Sequence, residues 1–577
     1  MTDTQTRNPD GAPWWASAVI YQIYLRSFRD TNGDGVGDLN GVTEKLDYIA
    51  ALGVDALWLS PFYKSPMQDF GYDICDFRAV DPTFGTIEDF DRLVLGARER
   101  GLRTIVDFTP CHTSKQHPWF RESRSSRDNP KADWYVWADA RRDGAPPTNW
   151  LSSFGGSAWE WEPRRSQYRY HAFLECQPNL NLHDPEVVDA VLGEMAFWLD
   201  RGVDGIRLDA VQCLLSDPDL RDNPPIASTG PSILVGGGPN NPFRQQEHYF
   251  DRGLPGSMAL FERMRALTDR YGADRFLLGE ASDVDSIPFC AEATAPGRLH
   301  AAYHFDLINS DLDVGVLRRQ IRATAERPNA AIMTVAGNQD STRLMSNWGL
   351  RPTEQGYGRA FAALMCAIMA TQKGGALVFQ GEELGLTEAD IGYDDLRDPW
   401  GLHLYPDFKG RDGCRTPMPW EADAPHGGFG DAQPWLPLAE AHRPLAVDRQ
   451  EADPDSVLNA YRRILAWRRG EPALRGGTQR LIEDAPAPLL AYVREANGAR
   501  LLCAFNLSDA PFTWRLPEDD REGWAVVDGP GFGGEIREGG VLALGAYDGV
   551  VARGARGVWR ELRDPGLTTS SAMGDHT

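Results

Sequence analysis

The segment Gly205-Ile206-Arg207-Leu208-Asp209 decides how this chain is read. Side chains alternate faces along a strand, so Arg207 and Asp209 point to one side and Ile206 and Leu208 to the other. Seven further short apolar runs stand around this one, at 19–24, 56–61, 104–108, 276–281, 302–305, 331–336 and 376–380. Helical patterns lie between most of them, among them 41–52, 87–100, 185–201 and 358–370. Eight strand–helix repeats in about 450 residues predict an α/β fold, a parallel (β/α)8 barrel with insertions.

The insertions are legible as well. Residues 113–184 are too long for a plain strand-to-helix loop, are rich in Trp, Arg, Asp and Pro, and predict a small inserted subdomain after strand three. Residues 216–253 contain Gly236-Gly237-Gly238-Pro239 and predict a mobile loop. Runs at 489–492, 501–505, 512–515, 524–527 and 541–544 alternate apolar and polar residues with turns between, as in an antiparallel β-sandwich domain. The expected organisation is a barrel of 1–112 and 185–475, a subdomain of 113–184, a β domain of 476–563 and a loose polar tail of 564–577.

In such a barrel the chemistry sits at the C-terminal ends of the strands. Strand three ends Asp107-Phe108-Thr109-Pro110-Cys111-His112, strand four at Asp209, strand five at Glu280 and strand seven at Asn338-Gln339-Asp340. Three carboxylates, Asp209, Glu280 and Asp340, are thus predicted to meet at one mouth with His112 and Arg207. A lone strand-end Asp is commonly a cap or an ion-pair partner; three on separate strands, one in an Arg-x-Asp pair, point to catalysis. Carboxyls whose environments separate their proton affinities suit retaining glycoside hydrolysis, which needs one acid and one nucleophile. Arg207 is expected to keep Asp209 ionised.

Composition narrows the partners. The chain has 577 residues, with 59 Lys and Arg against 83 Asp and Glu, a net charge of −24. So acidic a chain argues against nucleic acid and anionic membrane as partners. Its 18 Trp, 17 Tyr and 24 Phe serve packing and sugar stacking alike. The eight cysteines are scattered without a CxxC pair, residues 1–15 carry no leader pattern, and the longest apolar run, 360–370, is too short for a bilayer. A cytoplasmic protein is expected.

Further motifs complete a resemblance: Asp69-Phe70-Gly71-Tyr72-Asp73, Gln177-Pro178-Asn179-Leu180-Asn181 and Gly410-Arg411-Asp412-Gly413-Cys414-Arg415-Thr416-Pro417-Met418-Pro419-Trp420. With 205–209 they resemble glycoside hydrolase family 13, the α-amylase family, in its α-glucosidase and oligo-1,6-glucosidase branch. The resemblance implies that Asp209 is the nucleophile, Glu280 the general acid/base, and Asp340 a third acid gripping the 2- and 3-hydroxyls. It also implies that Asp69 and Arg411 clasp the non-reducing glucose, that Tyr72 stacks beneath it and His112 bonds its 6-hydroxyl, and that Phe154 and Phe173 wall the pocket. The clasp implies exo-action on short α-glucosides or malto-oligosaccharides. Ala210, a small residue after the nucleophile, implies α-1,4 linkages over α-1,6.

Two departures stand beside the reacting sugar. The family pattern Asn-His-Asp is Asn338-Gln339-Asp340 here, and its Asn-His is Cys111-His112. Gln339 donates through its amide but carries no proton or charge, and Cys111 is a poor donor that would leave Arg207 less firmly held. Three readings stay open: a working α-glucosidase, a glucosyltransferase or isomerase using an alcohol or sugar acceptor, or a sugar-binding relative with weakened catalysis.

Catalysis of this kind needs no cofactor, but Asp30, Asn32, Asp34, Val36 and Asp38 sit at alternate positions about the turn at Gly35, matching a calcium loop that lacks its final bidentate Glu. A structural Ca²⁺ or Mg²⁺ is expected, against the alternative of a turn that caps the next helix. Gly529–Gly534 fits GxGxxG without a following helix and reads as a turn; Trp159-Glu160-Trp161 reads as support for the subdomain.

Overall fold

The computed structural model describes residues 12–227, 241–281, 286–310, 313–327, 329–348, 357–496, 498–521 and 523–554. Its centre is the expected barrel: β1 (Val19–Ile23), β2 (Ala56–Leu59), β3 (Arg103–Phe108), β4 (Gly205–Leu208), β5 (Phe276–Ala281), β6 (Ala301–His304), β7 (Ile332–Val335) and β8 (Ala376–Phe379). All eight are parallel and close in sequence order. Their runs are nearly continuous in apolar residues because helices cover them outside and side chains fill them inside. Ile20, Trp58, Ile105, Phe276, Leu278, Tyr303, Met333 and Leu377 form the interior cluster.

Local signals start the helices. Ile87–Glu99 follows a capping box of Thr86 with Asp89, and Pro185–Asp200 begins with Asp184 as N-cap and proline in its first turn. The predicted helix at 41–52 is two short ones, Leu39–Glu44 and Leu46–Ala51, the first capped by Asp38. Among the described residues no helix is long and apolar enough to cross a membrane.

Between β3 and the helix from Pro185, strands Trp137–Ala138, Trp159–Glu162 and Gln167–Tyr170 pair into a small antiparallel sheet. The bridges His112–Asn179 and Tyr135–Leu180 tie this insertion to the barrel mouth. Trp159 is buried against Trp150, ring centres 5.6 Å apart, so it packs the insertion as expected. Of the segment 216–253, residues 228–240 lie outside the described residues. Its described flanks are pinned: Asp222 pairs with Arg141, Asn149 bonds Asn223, and Asn223 bonds Asp251.

The C-terminal sheets have five and three strands and share a core that includes Leu489, Leu502, Leu516, Leu542 and Val550. Three strands went unpredicted, Thr478–Leu481, Glu535–Arg537 and Gly549–Gly554, the first two because their residues are mostly polar and exposed. The predicted tail at 564–577 lies outside the described residues. Buried Arg494 latches the sheets to the barrel: Nη1 donates to Thr371 O (2.7 Å), Nη2 to Gly476 O (2.7 Å) and Nε to Thr478 O (3.1 Å).

Candidate active site

Parallel register sets the floor of the mouth, because β3 and β4 place Asp107 beside Arg207. Just beyond, Asp209 N donates to Phe108 O and ends β4, and Ala210 turns left-handed with φ 45° and ψ 50°. That region is uncommon for a residue with a side chain and more strained for a β-branched one. The turn aims the Ala210 N–H at Glu280 Oε2 across 3.0 Å.

Arg207 is wholly buried, and its guanidinium collects the carboxylates. Nη1 lies 2.7 Å from both Asp107 and Asp209, and Nη2 lies 2.7 Å from Glu280 and donates to Tyr303 OH at 2.8 Å. The Trp58 ring, 4.8 Å below, adds a cation–π contact. Burial raises the Asp209 carboxyl well above the usual carboxylate range, Arg207 pulls it down, and the charge and hydrogen bond of Glu280 push it up again. Arg207 thus acts on Asp209 in the expected direction, against burial and the neighbouring carboxylates. Burial also lifts Asp107 to about 6, against the pull of Arg207. Asp209 and Glu280 thus stand side by side on Arg207, and the Glu280 side chain is among the groups that raise Asp209.

A second cluster closes the far wall. Arg411 binds Asp69 at 2.8 Å, Asp398 at 2.9 Å and Asp340 at 3.1 Å, and Arg415 reaches Asp340 at 2.8 Å. Burial alone would raise Asp398, but Arg411 holds it down to about 2. Phe154 and Trp400 cover the guanidinium at 5.0 and 5.8 Å, and Gln177 donates to Asp69 at 2.8 Å.

Asp69, Tyr72, His112, Phe154, Phe173, Asp209, Glu280, Asp340 and Arg411 all line one pocket, as expected from the sequence. His112 is buried with neither ring nitrogen partnered, and burial lowers it to about 3, so it faces the pocket as a neutral imidazole. Arg207 and Gln339 lie behind the wall. Gln339 is wholly buried and outside the pocket lining: Nε2 donates to Tyr72 OH at 2.8 Å and Oε1 accepts from Gln22. Its placement as a sugar contact is therefore corrected; it steadies Tyr72, whose OH donates to Asp107 at 3.0 Å. Cys111 is buried and neutral, and Arg207, with Asp107, Asp209, Glu280 and Tyr303 around it, is not loosened by it.

Several site residues escaped the sequence reading. Asp107 was visible, opposite Arg207 once two strands are placed side by side. Asp398, Trp400, Tyr303, Ser153, Gln212 and Phe305 carried no signal of spacing. In the loop 30–38, Asp30 accepts from the N–H groups of Asn32, Gly33 and Gly35, Asn32 from Asp34, Asp34 from Val36, and Asp38 from Thr31 and Gly41. Among the described residues no group of three or more His, Cys, Asp or Glu gathers as metal ligands would.

Known proteins match this arrangement. The α-amylase catalytic-domain model matches residues 22–477. A probable α-glucosidase of Rhizobium meliloti (strain 1021) is 46% identical over 547 residues, 93% of this chain and 96% of that protein. An oligo-1,6-glucosidase of Heyndrickxia coagulans is 34% identical over 541 residues, 89% of this chain and 95% of that protein. Among solved structures, the α-glucosyl transfer enzyme XgtA superposes with a TM-score of 0.90 at 49% identity, over 94% of this chain and 100% of the other. With three carboxylates at strand ends around a buried arginine, and a family match spanning most of its length, the chain belongs to the α-amylase family of glycoside hydrolases, glycoside hydrolase family 13.

Proposed function

We propose that the protein is a retaining, exo-acting α-glucosidase that removes single glucose units from the non-reducing ends of short α-glucosides. The observation that carries this reading is the hydrogen-bonded pair Asp209–Glu280 on Arg207, opposite a wall closed by the Asp69–Arg411 ion pair. An Asp209 oxygen would attack C1 as the C1–O bond breaks, and Glu280, acting as the acid, would protonate the departing oxygen. Water then gives a proton to Glu280 and attacks C1, releasing Asp209 and glucose of unchanged anomeric form. Asp340, held by Arg411 and Arg415, would bind the 2- and 3-hydroxyls, and His112 the 6-hydroxyl. The Asp69–Arg411 ion pair in the pocket wall supports exo-action. The small Ala210 supports an α-1,4 preference. No step calls for a cofactor. Eight free cysteines fit a reducing compartment such as the cytoplasm.

A second reading, partial transfer of glucose to an alcohol or sugar, is supported by the amide at 339, which cannot carry the charge of the family histidine, and by the likeness to XgtA. Digestion of an aryl α-glucoside, whose leaving group is a phenol, followed by NMR is expected to show α-glucose first, with Asp209→Ala lowering kcat/KM by about 10⁴-fold or more. Gln339→His is expected to raise hydrolysis relative to transfer to an added alcohol. β-Glucose as first product, or an active Asp209→Ala, would contradict the mechanism; an unchanged partition would remove Gln339 from it.

The raised carboxyls set a pH dependence. Asp107, at about 6, and Asp209, also raised by burial, take up protons as the pH falls, leaving Arg207 without one partner and C1 without its nucleophile. Activity on an aryl α-glucoside is therefore expected to rise with pH through an apparent pKa near 6. A profile flat down to about pH 4, the ordinary carboxylate range, would contradict this.

We also propose that the loop 30–38 takes a structural divalent cation through the side-chain oxygens of Asp30, Asn32, Asp34 and Asp38 and the Val36 carbonyl. The hard oxygen donors and the alternating turns that orient them support it. Chelation is expected to lower Tm in the native chain but not in Asp30→Ala; equal Tm with and without chelator would remove the site.

A further inference from the structure

At the N-terminal ends of the strands, opposite the catalytic mouth, a cavity of about 450 Å³ opens where barrel and β sheets meet. Its size falls in the range of small-molecule sites. Its wall includes Arg265, Lys373 and Arg494, with His300, and among the described residues no Asp or Glu. In a chain of net charge −24 such a wall is unusual.

The charge there is deeply placed. Arg494 is 1% exposed, its partners are the three carbonyls of its latch, and among the described residues no carboxylate stands within ion-pair distance of it. Arg468, equally buried, lies just behind, donating to the carbonyls of Ser17, Ala370 and Gly374, of which Ser17 and Gly374 belong to the wall. Burial lowers both guanidinium groups to about 10. Arg265 is paired with Asp269, which stands outside the wall, and His300 is neutral, lowered by burial to about 3. A buried cation bonded only to carbonyl dipoles is only partly compensated, and an anion beside it recovers the remainder.

We propose that this cavity binds a phosphate monoester of monosaccharide size, its dianion set against Lys373 and Arg494 and its sugar ring filling the rest. Phosphate suits the guanidinium fork and the ammonium point charge, and a free phosphate ion would occupy only part of the volume. The site is separate from catalysis.

Calorimetry on the full chain tests it, with the catalytic pocket saturated by deoxynojirimycin so that binding there is not counted. Glucose 6-phosphate is expected to bind and to raise Tm, inorganic phosphate to bind more weakly, and glucose not to bind. Lys373→Met is expected to weaken glucose 6-phosphate by about tenfold or more, Lys373→Arg to keep it, and both to hydrolyse maltose normally, which shows that they fold. No binding of glucose 6-phosphate, equal binding of glucose, or undiminished affinity in Lys373→Met would overturn the site. Inorganic phosphate binding as tightly as the ester would overturn the part assigned to the sugar.

Discussion

The site depends on one guanidinium. Arg207 is buried at the centre of the mouth and touches Asp107, Asp209 and Glu280 at once, each at 2.7 Å. Three carboxylates about one cation leave an excess of negative charge, and burial together with the neighbouring Glu280 and Asp107 raises the Asp209 carboxyl. Removing one partner from a buried pair of this kind costs about 3–5 kcal/mol, so the cluster is as much a constraint on folding as on catalysis.

Arg411 repeats the device on the opposite wall. It joins Asp69, from the segment after β2, to Asp340, after β7, and to Asp398, after β8, so the pocket has its far side closed only when three separate segments are in place. A chain of neutral groups, Gln22, Gln339 and Tyr72, ends on Asp107 and so on Arg207. Gln339 therefore supports Tyr72 from behind the wall rather than forming the wall itself. The exchange at Cys111 leaves the hold on Arg207 intact, because that hold comes from carboxylates.

Much of this was legible in the sequence. The eight barrel strands could be read because burial on both faces makes them short continuous apolar runs. The three carboxylates could be read because strand ends in a barrel share one mouth. Asp398 and Trp400 could not, since they sit on a long irregular segment after β8 whose path no periodicity encodes. The burial of Gln339 was likewise invisible, because a side chain's depth behind a wall depends on neighbours from distant strands, here Gln22 and Tyr72. The strand Glu535–Arg537 was hidden by charged residues at an exposed edge.

The central claim is that Asp209 makes the bond to glucose while Glu280 moves the proton. Trapping with 5-fluoro-α-glucosyl fluoride, followed by proteolysis and mass spectrometry, tests it most directly. One glucosyl adduct on the peptide containing Asp209, absent in Asp209→Ala, is the predicted result. An adduct on Asp340 or Glu280, or turnover without any adduct at Asp209, would contradict it.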